Sequence, residues 1–154
     1  MMTKVKREIR IADWHDPKDQ AAIRNIREQV FIREQNVPAE LEWDELDAVC
    51  IHLLVSLPGG KAIATSRILF PETGKNAYIG RISVLAEYRH QGIASDMLNI
   101  LKEITKKNNT FEMIQLNAQT TAIPFYTQHG FSPVGEEFLD ADIPHYKMFY
   151  TIKM

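Results

Sequence analysis

The 154-residue sequence contains a single cysteine, Cys50, and lacks any long hydrophobic run. One cysteine excludes an intrachain disulfide framework and is typical of proteins from a reducing compartment. A membrane-spanning helix needs about 18 consecutive apolar residues, and no segment approaches that length. The first seven residues are basic, but no apolar signal-peptide core follows them. We therefore expect a cytoplasmic protein that does not contact a membrane.

The chain also lacks an excess of charge of one sign and any regular spacing of metal ligands. Its formal net charge is -2, with 18 Lys and Arg against 20 Asp and Glu. A nucleic-acid-binding surface would require a basic patch, which this balance does not favour. The five histidines are scattered without the short spacings of a metal site. We expect no nucleic-acid partner, no metal, and one domain over residues 1–154.

Hydrophobic periodicity predicts an alternation of strands and helices. Apolar and β-branched runs predict strands over residues 8–12, 50–57, 62–70, 76–84, 113–118, 134–138 and 145–152. Helical spacing predicts helices over residues 17–31, 93–107 and 122–129. A strand, a helix and another strand after Gly92 indicate a parallel crossover in a largely antiparallel sheet. The predicted order is β-α-β-β-β-α-β-α-β-β, an α/β (α+β) fold with a mixed sheet.

The most informative motif is a turn that contains glycine and lies between a predicted strand and the helix at residue 93. Residues 89–94 read Arg-His-Gln-Gly-Ile-Ala, an R-x-x-G-x-A pattern. The first N–H groups of a helix have no intrahelical partner, and the macrodipole adds positive charge there, so an anion is stabilised. Gly92 leaves the backbone open to a phosphate, and Arg89 can add a cationic fork. The motif predicts a pyrophosphate site.

Three features together resemble the Gcn5-related N-acetyltransferase (GNAT) family, which transfers acyl groups from acyl-coenzyme A to amines. The first is the 89–94 turn, which resembles that family's R/Q-x-x-G-x-G/A loop. The second is residues 122–131, Ala-Ile-Pro-Phe-Tyr-Thr-Gln-His-Gly-Phe, similar to its A-x-x-F-Y-x-x-x-G-F segment. The third is the element order, which covers nearly the whole chain. The resemblance implies the GNAT acyl-CoA N-acyltransferase fold, with helices on both faces of the sheet and acetyl-coenzyme A as co-substrate.

A further segment narrows the resemblance. Residues 30–38, together with residues 42–44 and His52, resemble a small bacterial branch of uncharacterised acetyltransferases. The same segment resembles more weakly the acyl-homoserine-lactone synthases, which share the fold but are longer and lack this 89–94 loop. Gln119 stands where the family often has Asn, and it keeps the amide chemistry with a longer reach.

The resemblance also implies which groups bind coenzyme A. The diphosphate would bind the loop and first helical turn, at Arg89, His90, Gln91, Gly92, Ile93, Ala94 and Ser95. The strand at 76–84 would splay from the strand at 113–118, so that the pantetheine arm pairs with Ile82, Ser83 and Val84. The Val84 N–H would help to hold the thioester oxygen. Asn117, Ala118, Pro124 and Phe125 would flank the arm from the other side.

Acyl transfer to an amine needs a proton acceptor, because a lysine-like amine has a pKa near 10.4 and arrives as ammonium. The candidate bases are Glu34, His52, Glu136 and His145. Glu34 closes the first helix, whose end borders the acceptor site in the family, and His145 lies in a predicted strand. Each has a structural alternative, a solvated helix-end charge for Glu34 and a hydrogen-bonded strand residue for His145.

Tyr126 matches the family position that protonates the departing sulfur. A cysteine-like thiol has a pKa of about 8.5 against about 10 for a phenol, so this transfer is uphill by roughly 2 kcal/mol. The alternative is a tyrosine that packs beside Phe125 and bonds locally. Cys50 as an acyl-carrying nucleophile has no paired base in the sequence.

The leading hypothesis is therefore an acetyl-CoA-dependent N-acetyltransferase, in which an amine attacks directly in a ternary complex. Its acceptor would be a small-molecule amine or a protein amine, and monomer and homodimer are both open. The alternative is a non-catalytic acyl-CoA-binding sensor, which would keep Gly92 and dispense with Tyr126 and the base. The acidic stretch at residues 40–47 would either attract a cationic amine or form a solvated surface.

Overall fold

Seven strands form one mixed sheet in the computed structural model, which describes residues 6–152. Residues 1–5, which include most of the basic N-terminal stretch, and residues 153–154 lie outside that part. The strands are β1 (Glu8–Ala12), β2 (Ile51–Ser56), β3 (Ala62–Leu69), β4 (Asn76–Val84), β5 (Met113–Gln119), β6 (Ser132–Asp140) and β7 (Ile143–Thr151). Their spatial order is β1-β2-β3-β4-β5-β7-β6, and only β4 and β5 pair in parallel.

The helices are α1 (Pro17–Arg27), α2 (Ala39–Glu42), α3 (Ile93–Asn108) and α4 (Ile123–Gln128) within the described residues. Short 3₁₀ turns cover Glu45–Val49, Ala86–Tyr88 and Thr120–Ala122. Asp16 caps α1 by accepting a hydrogen bond from the Lys18 N–H, and Pro17 stands in its first turn. The predicted order of strands and long helices is confirmed.

The two long helices pack on opposite faces of the sheet. Leu53 and Val55 of β2 belong to a core cluster that includes Met97 and Leu101 of α3. Leu54, between them, belongs to a second cluster with residues of α1. Since successive side chains of a strand point to opposite faces, this alternation places α1 and α3 on different sides. The mixed fold with helices on both faces is confirmed.

One predicted boundary is different. The helix expected over residues 17–31 ends as an α-helix at Arg27 and continues as a π-helix over Glu28–Glu34. The spacing of apolar residues in this region does not distinguish an α-helix from a π-helix, because both helices place similar side chains on one face. The wider π-helical turn places Phe31 and Gln35 at the wall of a cavity beside β4 and β5.

Strands β4 and β5 part after three residue pairs. The parallel pairing joins Asn76 to Met113, Ala77 to Ile114 and Tyr78 to Gln115, and goes no further. Beyond this point β4 carries a bulge against β3, and Arg81 in the bulge has a φ of 54°. A bulge bends its strand and increases the local twist. The bulge therefore turns the second half of β4 away from β5, which is the splay that the resemblance implies.

The acidic stretch is an internal structural element. Arg27 pairs with Glu42 and Asp47 at 2.7 Å each, and Arg67 pairs with Asp44 and Asp47 at 2.8 and 2.7 Å. Of these five, all but the partly exposed Asp44 are buried. Three carboxylates of the stretch are thus neutralised by arginines, and only flanking charges such as Glu40 face solvent freely. The expectation of a simple solvated surface is wrong for the buried Glu42 and Asp47, whereas Asp44 is exposed and ion-paired.

We expect Arg27→Met to lower the free energy of unfolding by about 3–5 kcal/mol, because it leaves buried carboxylates without their partner. Arg27 is 0% exposed. Arg33→Met is the matched control, since Arg33 is exposed and contacts Glu28 at 3.4 Å; its cost should stay below about 1 kcal/mol. Denaturant unfolding measures both. Equal losses in the two variants would contradict this assignment.

Candidate active site

A cavity of about 410 Å³ opens where β4 and β5 part. Its walls come from the π-helix, the second half of β4, β5, the start of α4 and the β6–β7 hairpin. Of the candidate catalytic and cofactor-binding residues, Ile82, Asn117, Tyr126 and His145 line it, and so does Gln119. The structure therefore brings two candidate proton-transfer groups and both sides of the predicted arm site to one opening.

The backbone of β4 presents an open edge next to this cavity. The Leu85 N–H bonds to the Ile63 carbonyl on the β3 side. Consecutive N–H groups of a strand point to opposite edges, so the Val84 N–H faces the side where β5 has moved away. Its carbonyl faces the same side and accepts a hydrogen bond from Arg89 Nε at 2.9 Å. Ser83 is buried, and its neighbour Ile82 lines the cavity.

The loop before α3 has the geometry of an anion site. His90 and Gly92 have φ values of 64° and 83°, and α3 begins at Ile93 with no side-chain cap. The first intrahelical bond runs from the Asp96 N–H to the Gly92 carbonyl. The N–H groups of Ile93, Ala94 and Ser95 therefore have no intrahelical acceptor and lie at the positive end of the dipole. This loop fits a diphosphate and lies outside the cavity itself.

Arg89 links the loop to the π-helix. Its two terminal nitrogens bond to the two carboxylate oxygens of Glu34 at 2.6 and 2.7 Å. The guanidinium beside Glu34 holds the pKa of that carboxyl below its usual range. A carboxylate with a lowered pKa is a weaker proton acceptor, and Glu34 does not line the cavity. The geometry supports His145 better than Glu34 as the base.

Tyr126 lines the cavity with a phenol that has no hydrogen-bond partner among residues 6–152. Its ring packs edge-on against Phe125 and Phe131, at centroid distances of 5.1 and 6.0 Å. Burial raises the pKa of Tyr126 to about 12. Full proton transfer to a thiolate of pKa about 8.5 would then be uphill by roughly 5 kcal/mol. The phenol is therefore an available hydrogen-bond donor in a poorly solvated environment.

His145 has a defined tautomer. Its Nδ1 lies 2.6 Å from the Ile143 carbonyl, which can only accept, so Nδ1 carries the proton. Nε2 is then left with its lone pair. The ring stacks on Phe138 at 5.9 Å, and the residue stands opposite Gln119 on β5. A neutral imidazole with a free Nε2 at a cavity wall can accept a proton.

The remaining candidates lie elsewhere. His52 is buried, stacks on Trp14 and contacts the Asp47 carbonyl at 2.8 Å, which makes it a structural residue. Glu136 is exposed on β6. Burial raises the pKa of the Cys50 thiol to about 11, which opposes a nucleophilic role. Ala118 is buried, Phe125 is half-buried and Pro124 is exposed, and none of these lines the cavity.

Several polar residues of the cavity wall were not singled out in the sequence as site residues. Arg67 and Arg81 reach it from β3 and β4, Gln35 from the end of the π-helix, and Asp140 from the β6–β7 hairpin. Gln35 accepts a hydrogen bond from Gln119 at 2.8 Å. A lone charged residue inside a predicted strand is the signal that would have found the first two, because such a charge is rarely buried without a role.

Comparison with known proteins agrees with this architecture. A family model described as an acetyltransferase (GNAT) domain matches residues 52–152. The Bacillus subtilis (strain 168) protein YjcF, described as an uncharacterized N-acetyltransferase, is 40% identical over 126 residues, which cover 80% of this chain and 86% of that protein. This chain belongs to the GNAT acetyltransferase family.

Solved structures resemble the whole fold. An acyl-CoA N-acyltransferase from Pseudomonas aeruginosa is 28% identical with a TM-score of 0.83, covering 94% of this chain and 99% of that one. Escherichia coli ElaA is 25% identical with a TM-score of 0.85, at the same coverages. Within residues 6–152, no helix is long and apolar enough to cross a membrane. The same part of the chain brings no three His, Cys, Asp or Glu side chains together as a metal site.

We expect Gly92→Glu to weaken coenzyme A binding by at least about tenfold, because it adds a negative charge and a side chain at a left-handed position beside the open N–H groups. Calorimetric titration measures the change. Gly60→Glu is the matched control, since Gly60 also has a positive φ of 96° and open space around it. An affinity for coenzyme A as high in Gly92→Glu as in Gly60→Glu would contradict the diphosphate site.

Proposed function

We propose that this protein transfers an acetyl group from acetyl-coenzyme A to an amine by direct attack in a ternary complex. The observation that carries the proposal is the open edge of β4, which runs from the uncapped start of α3 to the cavity that holds Tyr126 and His145. Family membership supports acyl-CoA-dependent N-acyl transfer in general. Acetyl as the acyl group and the direct mechanism are part of the proposal.

The donor would bind in two places. Its diphosphate would bind at the loop of residues 89–95, where Ile93, Ala94 and Ser95 offer N–H groups without intrahelical acceptors. Its pantetheine arm would lie between the parted strands and pair with the free edge of β4. An unpaired strand edge at a buried opening is costly, and a ligand backbone that fills it removes that cost. Asn117 would flank the arm from β5.

His145 would act as the base. The incoming amine must lose a proton, and Nε2 of the neutral imidazole is the acceptor that the Ile143 hydrogen bond leaves open. Glu34 would serve instead only after Arg89 releases it, because that pair occupies both carboxylate oxygens.

Val84 and Tyr126 would act on the thioester. The Val84 N–H would donate to the oxygen that gains negative charge during transfer. The phenol of Tyr126 would donate a hydrogen bond to the leaving sulfur. The high pKa of Tyr126 favours partial over complete proton transfer in the transition state. A non-catalytic sensor would need neither this phenol nor His145 at the cavity, so their joint presence favours the enzyme.

We expect Tyr126→Phe to lower kcat by about ten- to a hundredfold without abolishing turnover, since a thiolate leaves tolerably well unaided. Thiol release from acetyl-coenzyme A at saturating amine measures it. Tyr146→Phe is the control, because Tyr146 lies next to His145 on β7 but does not line the cavity. An unchanged kcat in Tyr126→Phe would exclude the role given to the phenol.

We expect wild-type thiol release to depend on an added amine, and His145→Gln to lower kcat by about 10²–10⁴ with the KM for acetyl-coenzyme A little changed. His15→Gln, which alters an exposed histidine outside the cavity, should leave both constants as they are. Donor binding without amine-dependent thiol release across a broad amine panel would support the sensor and refute the proposed reaction.

A further inference from the structure

The cavity carries a positive wall on the side of β3 and β4. Arg67 and Arg81 line it, and Glu42 is the carboxylate of their cluster that lines it with them. Glu42 Oε2 is already shared, at 2.7 Å from Arg27 Nε and 3.1 Å from Arg81 Nε. Asp44, which pairs with both arginines of the wall, does not line the cavity. The face that the cluster turns toward the cavity is therefore cationic.

Arg81 has unused hydrogen-bond donors. Its Nη2 contacts the Leu41 carbonyl, the Glu42 carbonyl and Asp44 Oδ2 at 3.4, 3.1 and 3.3 Å. Its Nε is buried and makes no hydrogen bond, because the N–H is not aimed at the nearby Glu42 oxygen. Nη1 also makes no hydrogen bond within residues 6–152. A buried donor without a hydrogen-bond partner, such as this Nε, is rare in folded proteins and calls for an explanation.

The backbone holds Arg81 in this position at a cost. A φ of 54° is uncommon for a side chain of this size, and it occurs in the bulge that turns β4 toward the cavity. Gly80, the preceding residue, faces the Arg67 side chain across the strand pair, and a Cβ there would touch Arg67 Nε at 3.9 Å. That distance is an ordinary van der Waals contact, so it is the bulge that holds Arg81 beside the opening, while Arg67 lines the cavity from β3.

We infer that the acceptor is an amine that also carries a carboxylate, which Arg81 binds through its unpartnered Nη1 while Arg67 adds charge. This inference rests on the proposed function. A guanidinium presents its donors in a planar fork that matches a carboxylate. Burial lowers the pKa of Arg81, and the neighbouring Glu42 carboxylate opposes that shift. Asp140 also lines the cavity and makes no ion pair within residues 6–152, so its carboxylate would attract the ammonium of such an acceptor.

Matched pairs of amines test this inference by binding alone. The probes are 4-aminobutyrate against butylamine, L-phenylalanine against phenethylamine, and L-lysine against cadaverine, each titrated into the full chain saturated with coenzyme A. We expect the carboxylated member of at least one pair to bind about ten- to a hundredfold more tightly than its partner. If no pair shows a preference for the carboxylated member, the inference is overturned.

Variants assign the preference to Arg81. Arg81→Gln should remove the difference within the pair, and Arg81→Lys should retain part of it, because the charge remains while the fork is lost. Arg33→Gln makes the same change of charge at an exposed residue outside the cavity and should leave the difference intact. A carboxylate preference that survives in both Arg81 variants would place the site elsewhere and overturn the inference.

Thiol release separates this inference from the proposed function. Carboxylated amines that bind preferentially but are never acetylated would refute the reaction and leave the site standing. Acetylation of both members of every pair with equal KM would support the reaction and refute the site.

Discussion

The parting of β4 from β5 is the constraint on which the rest of the structure depends. Parallel pairing ends at Tyr78 and Gln115, the third residue of each strand, although a regular sheet would keep the two strands together. Backbone groups exposed by such a gap must find other partners. Arg89 supplies one by bonding to the Val84 carbonyl. The bulge at Arg81 produces this departure from regular pairing, and the cavity and the free Val84 N–H edge are its consequences.

The buried charge cluster shapes the acceptor side of that gap. Glu42, Asp44 and Asp47 tie the connection after α2 to Arg27 of α1 and to Arg67 and Arg81 of the sheet. Burying ions costs desolvation energy, and a well-packed apolar replacement is often no less stable. Because this cluster also lines a cavity, its charges can serve ligand binding in addition to stability. It fixes the position of the wall and leaves part of Arg81 available to a ligand.

Local signals explain why much of the fold could be predicted. Strand β4 has the predicted bounds of residues 76–84. Its apolar run and the turn residues beside it are signals that depend on only a few neighbouring positions, so they can be read from the sequence. The loop at Gly92 and the placement of Tyr126 depend on short motifs. By contrast, Arg89 meets Glu34 across 55 residues and Arg67 meets Asp44 across 23. Neither ion pair has a signature in the neighbouring sequence. A π-helix and an α-helix also have the same apolar pattern, so the sequence does not distinguish them. These features emerge only when the chain is folded.

Hydrogen exchange at the Val84 amide, measured with and without saturating coenzyme A, tests the central claim most directly. The Leu85 amide, already bonded to the Ile63 carbonyl, serves as the internal reference. If the parted strands bind the donor, exchange at Val84 and at the start of α3 slows when coenzyme A is added, by much more than exchange at Leu85. Equal exchange at Val84 in the free and saturated protein would contradict the account, because the open edge of β4 would then have no ligand to fill it.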